Sequence, residues 1–450
     1  MRRPVPRALA LTLALPLLAL PACSGDDGDG AGGGTGPTGS NGLLVGQRFE
    51  DGELVDTLEV LDPERPGGDG VDVADVSRGI PVGVNKALYE SGADIVLVDA
   101  EEQEVRPLDL LIGEIDLAYS RSAVAPGGDR YVVLLSPTGE GAALVDLEEL
   151  GVTDLIPLLD GAELVLGAEM TDDGSRVLLN TEDGAFLVPT DVPDSAERLG
   201  DGAGQLLAGG SSVLLSGPEG VVVREVDGGD ETTVGDGRGG ALAVGDRILL
   251  GREDEAVLLD PGSDEVLASA PFSTEGAAPV AVGDAVLLPG GQAPTWTLVD
   301  GTEGTATEIP ELEGLTPAFN GRPSRWVPFQ DAETGRLVGV DLEDGSVETA
   351  LQLEDGQRLV GLPAVADAGP AALVSTDHED GTLAFVVDLD TGEAQELGQA
   401  VQGAAFSPDG SQVAWSVGEE AELRIGPVDD LAAAEVVDEG IVLPVWLNGG

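Results

Sequence analysis

The chain has very little of the side-chain chemistry on which most active sites depend. It contains one cysteine, Cys23, one histidine, His378, and one lysine, Lys86. A single cysteine excludes an intrachain disulfide, and a single histidine excludes zinc sites built from several imidazoles. A Ser-His-Asp triad could use only His378, and the surrounding segment 375–381 has the composition of a turn between strands. We therefore interpret His378 as an exposed structural residue.

Aromatic residues are also scarce, at 3% of the chain, whereas hydrophobic residues together make up 42%. A chain of 450 residues can bury a large core, which must here be filled mainly by aliphatic side chains. The 67 glycines and 29 prolines favour many turns over long helices.

Basic charge is sparse as well. The chain has 21 basic and 84 acidic residues, for a formal net charge of -63. This charge repels phosphate backbones and anionic lipid headgroups, so we expect no nucleic-acid partner. The acidic residues are spread along the whole chain, which indicates a solvated acidic surface, although calcium or a basic protein could also use them.

The first 22 residues have the pattern of a bacterial export signal. A basic segment, 1–7, precedes an apolar segment, 8–20, that is too short to span a bilayer as a mature helix. The following Leu20-Pro-Ala-Cys23 resembles the lipobox of bacterial lipoproteins. The resemblance implies that residues 1–22 are removed and that Cys23 is the lipid attachment residue, whose two acyl chains anchor the protein stably. The alternatives are an ordinary signal-peptidase site or a buried thiol.

Residues 24–41 have almost nothing to bury. The segment is rich in Gly, Asp and Ser, which predicts that 23–41 is a lipidated cysteine followed by a flexible tether. Asp26, Asp27 and Asp29 lack the bidentate Glu and the flanking helices of an EF-hand, so we assign no metal site there.

The remainder of the chain is repetitive. An apolar strand that ends at Asp, followed by a polar or glycine-containing turn, recurs about every 41 residues, a period typical of four-stranded propeller blades. An Asp at this position can accept hydrogen bonds from the N–H groups just ahead and so stiffen the turn. The ten positions are Asp62, Asp99, Asp146, Asp191, Asp227, Asp260, Asp300, Asp341, Asp388 and Asp429.

A second marker keeps the same period. Upstream of each Asp, a turn leads into a short aliphatic strand, as in Gly245-Asp-Arg-Ile-Leu-Leu250. One whole unit then reads as four strands, at 241–244, 247–250, 256–259 and 265–268. Such a sheet cannot cover both of its faces alone and must stack on neighbours around an axis.

The clearest unit surrounds Phe406-Ser-Pro-Asp-Gly410. Together with Val387-Asp-Leu-Asp-Thr-Gly-Glu393, this unit resembles the propeller repeats of TolB and WD40-type proteins. The Trp-Asp and Gly-His pairs of eukaryotic WD40 blades are absent. The resemblance and the period together imply an all-β chain, a single β-propeller of four-stranded blades over residues 42–450.

The two ends of the repeat region are complementary. Segment 441–450 reads as a first strand without a second, and 42–45 reads as a second strand without a first. We expect the two to pair and close the ring, which removes two open sheet edges. Ten units predict eight to ten blades; the lower number would use residues 117–438 and leave 42–110 irregular.

The repeat offers no obvious catalytic group. Propeller glycosidases use a pair of carboxylates, but acidic residues are so common in these turns that no pair stands out. The four tryptophans, Trp296, Trp326, Trp415 and Trp446, are too few for quinone docking repeats, and we interpret them as blade core. We therefore assign no catalytic, cofactor-binding or metal residue, and leave calcium at a few strand-end Asp residues as an alternative.

These inferences lead to one expectation and two alternatives. We expect a non-enzymatic module, lipid-anchored at the outer face of the bacterial cytoplasmic membrane, that binds or scaffolds a protein or an envelope polymer. The alternatives are a carboxylate-dependent surface hydrolase or lyase, and a calcium-stabilised binding module. Paired carboxylates in the channel would favour the enzyme, and small or aliphatic inner strands would favour the scaffold.

Overall fold

The structure is a computed structural model. It describes residues 43–50, 53–61, 70–73, 76–83, 85–91, 94–108, 121–124, 130–207, 210–218, 220–235, 240–252, 254–261, 265–273, 277–290, 295–319, 324–331, 334–354, 357–378, 381–418 and 420–447. The predicted export signal, Cys23 and the tether lie outside these residues, and the inferences about them stay predictions.

The described residues form ten four-stranded antiparallel blades arranged as a β-propeller. The predicted fold class is confirmed. The alternative of eight blades is wrong, because residues 42–110 supply two further sheets rather than irregular structure. The unit predicted over 241–268 is observed at nearly the same bounds, as Ala241–Val244, Arg247–Gly251, Glu255–Leu259 and Val266–Pro271.

The strands follow in chain order, blade by blade. The closing blade, blade 1, contains β1 (Leu44–Glu50), β2 (Glu53–Leu61), β3 (Gly70–Asp72) and the last strand, β41 (Ile441–Trp446). Blade 2 contains β4 (Val76–Gly83), β5 (Lys86–Ser91), β6 (Asp94–Asp99) and β7 (Glu104–Leu108). Blade 3 contains β8 (Arg121–Val124), β9 (Tyr131–Leu135), β10 (Ala142–Asp146) and β11 (Val152–Asp154). Blade 4 contains β12 (Val165–Met170), β13 (Arg176–Thr181), β14 (Gly184–Pro189) and β15 (Glu197–Gly200).

Blades 5 to 7 repeat the pattern. Blade 5 contains β16 (Ala203–Leu207), β17 (Ser212–Gly217), β18 (Gly220–Glu225) and β19 (Glu231–Gly235). Blade 6 contains β20 (Ala241–Val244), β21 (Arg247–Gly251), β22 (Glu255–Leu259) and β23 (Val266–Pro271). Blade 7 contains β24 (Val280–Val282), β25 (Ala285–Gly290), β26 (Thr295–Asp300) and β27 (Thr305–Ile309).

Blades 8 to 10 complete the ring. Blade 8 contains β28 (Thr316–Pro317), β29 (Trp326–Asp331), β30 (Arg336–Asp341) and β31 (Val347–Gln352). Blade 9 has its first strand in two pieces, β32 (Arg358–Leu359) and β33 (Ala364–Val365), followed by β34 (Ala371–His378), β35 (Gly381–Asp388) and β36 (Ala394–Gln399). Blade 10 contains β37 (Gly403–Phe406), β38 (Gln412–Val417), β39 (Glu422–Pro427) and β40 (Glu435–Glu439). Short 3-10 helices lie at Ile156–Leu158, Pro193–Ser195, Pro310–Leu312 and Leu431–Ala433.

The predicted closure of the ring is confirmed. The last strand, β41, pairs with β1, with Leu44 opposite Trp446 and Val45 opposite Val445. The N–H of Leu447 also donates to the carbonyl of Leu43, over 2.8 Å. The closing blade is thus assembled from both ends of the described chain, and β41 covers the edge of β1 that would otherwise be unpaired.

The core is a circle of layers between blades rather than one central mass. Ten apolar clusters each join two neighbouring blades, from blades 1 and 2 round to blades 10 and 1. Consecutive residues of a strand enter opposite layers: Leu287 packs toward blade 8 and Leu288 toward blade 6. Because both faces of each blade are covered, the middle strands need apolar residues at every position, which explains their continuous aliphatic runs.

The Asp that ends the third strand organises the turn that follows it. The Oδ1 atom of Asp388 accepts the N–H groups of Asp390 and Thr391, over 2.9 and 2.8 Å. Gly392, at φ 72°, donates back to the Asp388 carbonyl over 3.0 Å. Equivalent turns begin at Asp300 and Asp341. The predicted role of this recurrent Asp is confirmed at these positions.

Candidate functional site: the inner strands and their turns

The first strand of each blade lies nearest to the axis of the ring. These strands contact one another from blade to blade; β41, for example, contacts both β4 and β37. We term them the inner strands, and they are β4, β8, β12, β16, β20, β24, β28, β32 with β33, β37 and β41. Because the inner strands surround the central channel, their side chains are the first candidates for a ligand site.

The inner strands are almost free of acidic residues, although the chain is strongly acidic. Glu169 is the single carboxylate in the inner strands that the structure describes. By contrast, the outer strand β40 alone contains Glu435, Asp438 and Glu439. The inner strands are otherwise mainly small or aliphatic, so they do not supply the pair of carboxylates that a glycosidase needs.

Glu169 lies at a joint between two blades. Glu169 is only 7% exposed. Its Oε2 atom accepts the N–H of Leu206, on the inner strand of blade 5, over 2.7 Å. Burial raises the pKa of Glu169 to about 7, and the hydrogen bond from Leu206 opposes part of this rise. The carboxyl is therefore engaged in holding blade 4 to blade 5.

The next joint round the ring has the same design with a neutral side chain. Gln205, on β16, accepts the N–H of Ala243 on β20 through its Oε1 over 2.7 Å. Blades 4 and 5 are further joined by Asn180, which accepts the N–H of Gly204 over 2.6 Å and donates to its carbonyl over 2.9 Å. Such amide pairs fix one blade against the next without adding charge.

Two inner strands carry a bulge at which a leucine is exposed. In β12 the register shifts between Val165 and Gly167, so that Leu166 is the extra residue, and it is 49% exposed. In β41 the register shifts opposite β1, and Leu443, at φ 51°, is 45% exposed. A bulge turns a side chain out of the regular alternation of a strand, which explains why these leucines escape burial.

A longer interruption splits the inner strand of blade 9. Between β32 and β33 lie Val360, 46% exposed, and Leu362, 54% exposed. The N–H of Val360 still bonds to the carbonyl of Ser375 over 2.8 Å, so this segment remains attached to its blade.

Each inner strand leads into a turn, and many of these turns carry exposed aspartates. We term the following residues the acidic turns: Asp172 and Asp173 of blade 4, Asp246 of blade 6, Asp284 of blade 7, Asp367 of blade 9 and Asp409 of blade 10. The N–H of Ser175, with the hydroxyls of Thr171 and Ser175, holds the pKa of Asp173 below its usual value. The turn of blade 10 has the same hydrogen bonds between Ser407, Asp409 and Ser411.

Arginines on the same face of the ring form ion pairs that the sequence analysis missed. Arg325 contacts Asp341 through Nε, at 2.7 Å, and through Nη2. Related pairs join Arg130 to Asp146 at 2.9 Å and Arg247 to Asp260 at 2.8 Å, whereas Arg176 reaches Asp227 of the next blade at 2.6 Å. The sequence feature that could have indicated these ion pairs is an arginine at the start of the second strand in each of the four units.

The structure places the predicted residues as follows. All four tryptophans are buried, between 0% and 6% exposed, which confirms their interpretation as blade core. His378 is the last residue of β34 and pairs with Gly381 of β35, so residues 375–378, which were predicted to lie in a turn, belong to a strand instead. Cys23 lies outside the described residues. Among the residues that the structure describes, no group of three or more His, Cys, Asp or Glu side chains is arranged to hold a metal ion. In the same part of the chain, no helix is long and apolar enough to cross a membrane.

Comparisons with known proteins give weak likenesses. No protein-family model and no curated protein matches the chain. Similar solved structures include dihydro-heme d1 dehydrogenase NirN in complex with DHE, at 15% identity and a TM-score of 0.46, covering 80% of this chain and 74% of that one. Apo AztD from Citrobacter koseri is 12% identical, with a TM-score of 0.39, and the match covers 91% of this chain and 99% of that one. Oligogalacturonate lyase from Vibrio parahaemolyticus is 13% identical, with a TM-score of 0.35, and the match covers 65% of this chain and 83% of that one. At these values none of the three carries an argument about what this chain binds or catalyses.

Proposed function

We propose that the protein is a non-enzymatic binding or scaffolding module, held by a lipid anchor at the outer face of the bacterial cytoplasmic membrane. Its partner is a protein or an envelope polymer. The observation that carries the proposal is the composition of the inner strands, which have one carboxylate, Glu169, and that carboxylate is bound to the N–H of Leu206. A hydrolase of the glycosidase type needs two carboxylates that face the substrate.

The proposal can be tested with the full-length protein purified in detergent. Immobilised protein incubated with solubilised envelope should retain one partner in a saturable way, and the protein should leave a panel of envelope polysaccharides uncleaved. Repeated failure to retain any partner, together with cleavage of a polysaccharide, would overturn the proposal. A variant with Glu169→Gln shows whether any such cleavage depends on the inner carboxylate.

The anchor is tested separately. We expect Cys23→Ala to move the protein from the membrane fraction to the soluble fraction, because this substitution removes the sulfur that would carry the lipid. Ser24→Ala is the matched control and should stay with the membrane. Retention of the Cys23→Ala variant in the membrane would contradict the lipoprotein assignment.

A further inference from the structure

The outer strand of blade 6 differs from the outer strands of all other blades in having no charge. The outer strands, each of which ends its sheet, are β3, β7, β11, β15, β19, β23, β27, β31, β36 and β40. In the part of the chain that the structure describes, every outer strand except β23 contains Asp or Glu. Charged side chains on an edge strand oppose pairing with another sheet, so β23 is the one outer strand without this obstacle.

The outer edge of β23 is open. Among the described residues, β23 pairs with β22 alone. The N–H of Phe272, just after β23, donates to the carbonyl of Asp254 over 3.2 Å, so the backbone groups of residue 272 face β22. Backbone groups alternate in direction along a strand, so the N–H and carbonyl of Ser269 and the carbonyl of Pro271 face outwards. Ser269 is exposed, and Val266, at the start of the strand, is 50% exposed.

A second copy of β23 fits this edge in an antiparallel register centred on Ser269. Ser269 then lies opposite itself, and its N–H and carbonyl each bond to the other copy. Pro271, which has no N–H group, lies opposite Leu267, the extra residue of a bulge, where the ladder is already irregular. Val266 lies opposite the half-buried Phe272, so two apolar side chains meet at each end of the pairing.

The same register keeps carboxylates apart. Glu265, just before β23, lies opposite Ser273 of the second copy rather than opposite another acid. Self-pairing of an acidic outer strand has the opposite result: in β40, a register centred on Val437 places Glu435 opposite Glu439. Like charges directly opposite each other destabilise a pair of strands. The edge of β23 is therefore complementary to its own copy.

We propose that two copies of this chain associate through antiparallel pairing of their β23 strands, which joins blade 6 of one ring to blade 6 of the other in a continuous sheet. The contact is the same on both copies, so it closes after two copies. Each copy carries a formal net charge of -63, so the remaining repulsion acts between charges that are not in contact, and salt screens it. The association therefore strengthens as salt rises, whereas the binding of a basic partner weakens. This inference goes beyond the proposed function, which does not depend on it.

Sedimentation equilibrium of the full chain in density-matched detergent tests the proposal at protein concentrations up to about 0.2 mM. Dimerisation should tighten at least about fivefold between 0.02 and 0.5 M NaCl. Ser269→Glu places two carboxylates opposite each other and should weaken the association at least about fivefold. Thr233→Glu, at an exposed position of β19, is the matched control and should change it less than about twofold. A monomer at every salt concentration, or equal effects of the two variants, would overturn the proposal.

A single introduced thiol tests the register. Cys23→Ala removes the natural cysteine, and Ser269→Cys in this background brings two thiols together across the two-fold axis. Opposite residues in such a pair have Cα atoms about 5.5 Å apart, which suits a disulfide. Mild oxidation should produce the covalent dimer at least about tenfold faster than with Thr233→Cys in the same background. Equal melting temperatures of the reduced variants show that both are folded, and equal rates of crosslinking would rule out pairing through β23.

Discussion

At the scale of single residues, the inner joints show how this chain handles polar groups near its axis. Glu169 and Gln205 occupy corresponding positions on neighbouring inner strands, and each accepts an N–H group from the next blade. The Gln205 amide does not ionise, whereas ionisation of the Glu169 carboxyl places a negative charge in a buried position. The joint between blades 4 and 5 is therefore the one whose strength depends on pH.

We expect stability to fall between about pH 4.5 and pH 7 because of Glu169. The pKa of Glu169 is raised from 4.5 to about 7 on folding, so within this window the folded state binds more protons than the unfolded state. Each rise in pH within this window therefore lowers the free energy of unfolding, and this decrease is complete above pH 7. Glu169→Gln should remove this dependence and stabilise the protein at pH 8 by on the order of 2 to 3 kcal/mol.

Urea unfolding of both proteins from pH 4 to pH 8 measures this effect. The reciprocal variant, Gln205→Glu, places a carboxyl at the neighbouring joint and should lose stability as the pH rises and this carboxyl ionises. A Glu169→Gln variant whose free energy of unfolding keeps the wild-type dependence on pH would contradict the role given to this carboxyl.

The arginine ion pairs give a second prediction at this scale. Asp341 is 3% exposed, and Arg325→Gln would leave its carboxylate with the N–H of Glu343, at 2.9 Å, and without a charged partner. We expect a loss of about 1 to 3 kcal/mol in the free energy of unfolding. Arg252 pairs with Glu255 at 3.6 Å in solvent, so Arg252→Gln is the control and should cost less than about 0.5 kcal/mol. Equal losses for the two variants would rule out a special role for the Arg325 pair.

At the scale of elements, the turns fix how closely the blades approach one another. Gly392 has φ 72°, and a Cβ atom there would lie 2.4 Å from the carbonyl oxygen of Thr349 in blade 8. The glycine is thus required twice, by its left-handed backbone and by the absence of space. The turn that begins at Asp388 therefore positions blade 9 against blade 8 as well as connecting two strands.

We expect Gly392→Ala to destabilise the protein by at least about 2 kcal/mol, the sum of backbone strain and the contact with Thr349. Gly369 is the matched control, because its φ is 82° and a Cβ atom added there would have no other atom within 4 Å. Gly369→Ala should cost about 1 kcal/mol, from backbone strain alone. Thermal unfolding of the two variants in parallel measures the difference between their losses of stability. Equal losses would contradict the prediction, because they would mean that blades 8 and 9 move apart to accommodate the added Cβ atom.

The sequence predicted much of this architecture because its two markers have direct physical causes. The strand-end Asp stiffens a turn, and the aliphatic run after each first turn is buried on both faces, so both are repeated wherever a blade is built. The bulge at Leu443 could not be predicted, because it depends on the register of β41 against β1, a strand that is distant in the chain. The bulge at Leu166 depends on the register of β12 against β13, which no turn motif in the sequence specifies. The choice of Asp227, 51 residues away, as the partner of Arg176 could not be predicted, because it depends on contact between blades.

The turn of blade 4 is a different case. Thr171-Asp-Asp-Gly-Ser175 forms the same hydrogen bonds as Ser407-Pro-Asp-Gly-Ser411, yet only the second turn was recognised as a specific repeat. The essential groups are a hydroxyl, an Asp two residues later, Gly and Ser. Proline is therefore not required for this turn, and a search by hydrogen-bonding groups would have found both copies.

At the scale of the whole molecule, stability depends on a core that runs round a circle. Every blade contributes to two layers, so removal of one blade would expose two apolar faces at once. The closing blade differs from the others only in that its strands come from both ends of the described chain. We term the pairing of β41 with β1 the seam, and we expect it to contribute as much to stability as the junction between any other two blades.

Trp446 tests that expectation. It is 4% exposed, and its Nε1 donates to the carbonyl of Ala405 in blade 10 over 3.0 Å. We expect Trp446→Ala to cost about 3 to 5 kcal/mol, the usual loss for a buried tryptophan. Leu443→Ala on the same strand is the control and should cost less than about 0.5 kcal/mol, since Leu443 is 45% exposed. Denaturant unfolding measures both, and a small loss for Trp446→Ala would mean that the ring is stable without its seam.

The seam also determines how the molecule would respond to a mechanical pull. The strand that follows residue 43, β1, is not at the border of its sheet but lies between β41 and β2. Tension applied through residue 43 is resisted by two ladders of hydrogen bonds loaded together, rather than by one ladder whose bonds can break one at a time. A ring sealed in this way can be held by one end of its chain under load without being unravelled from that end.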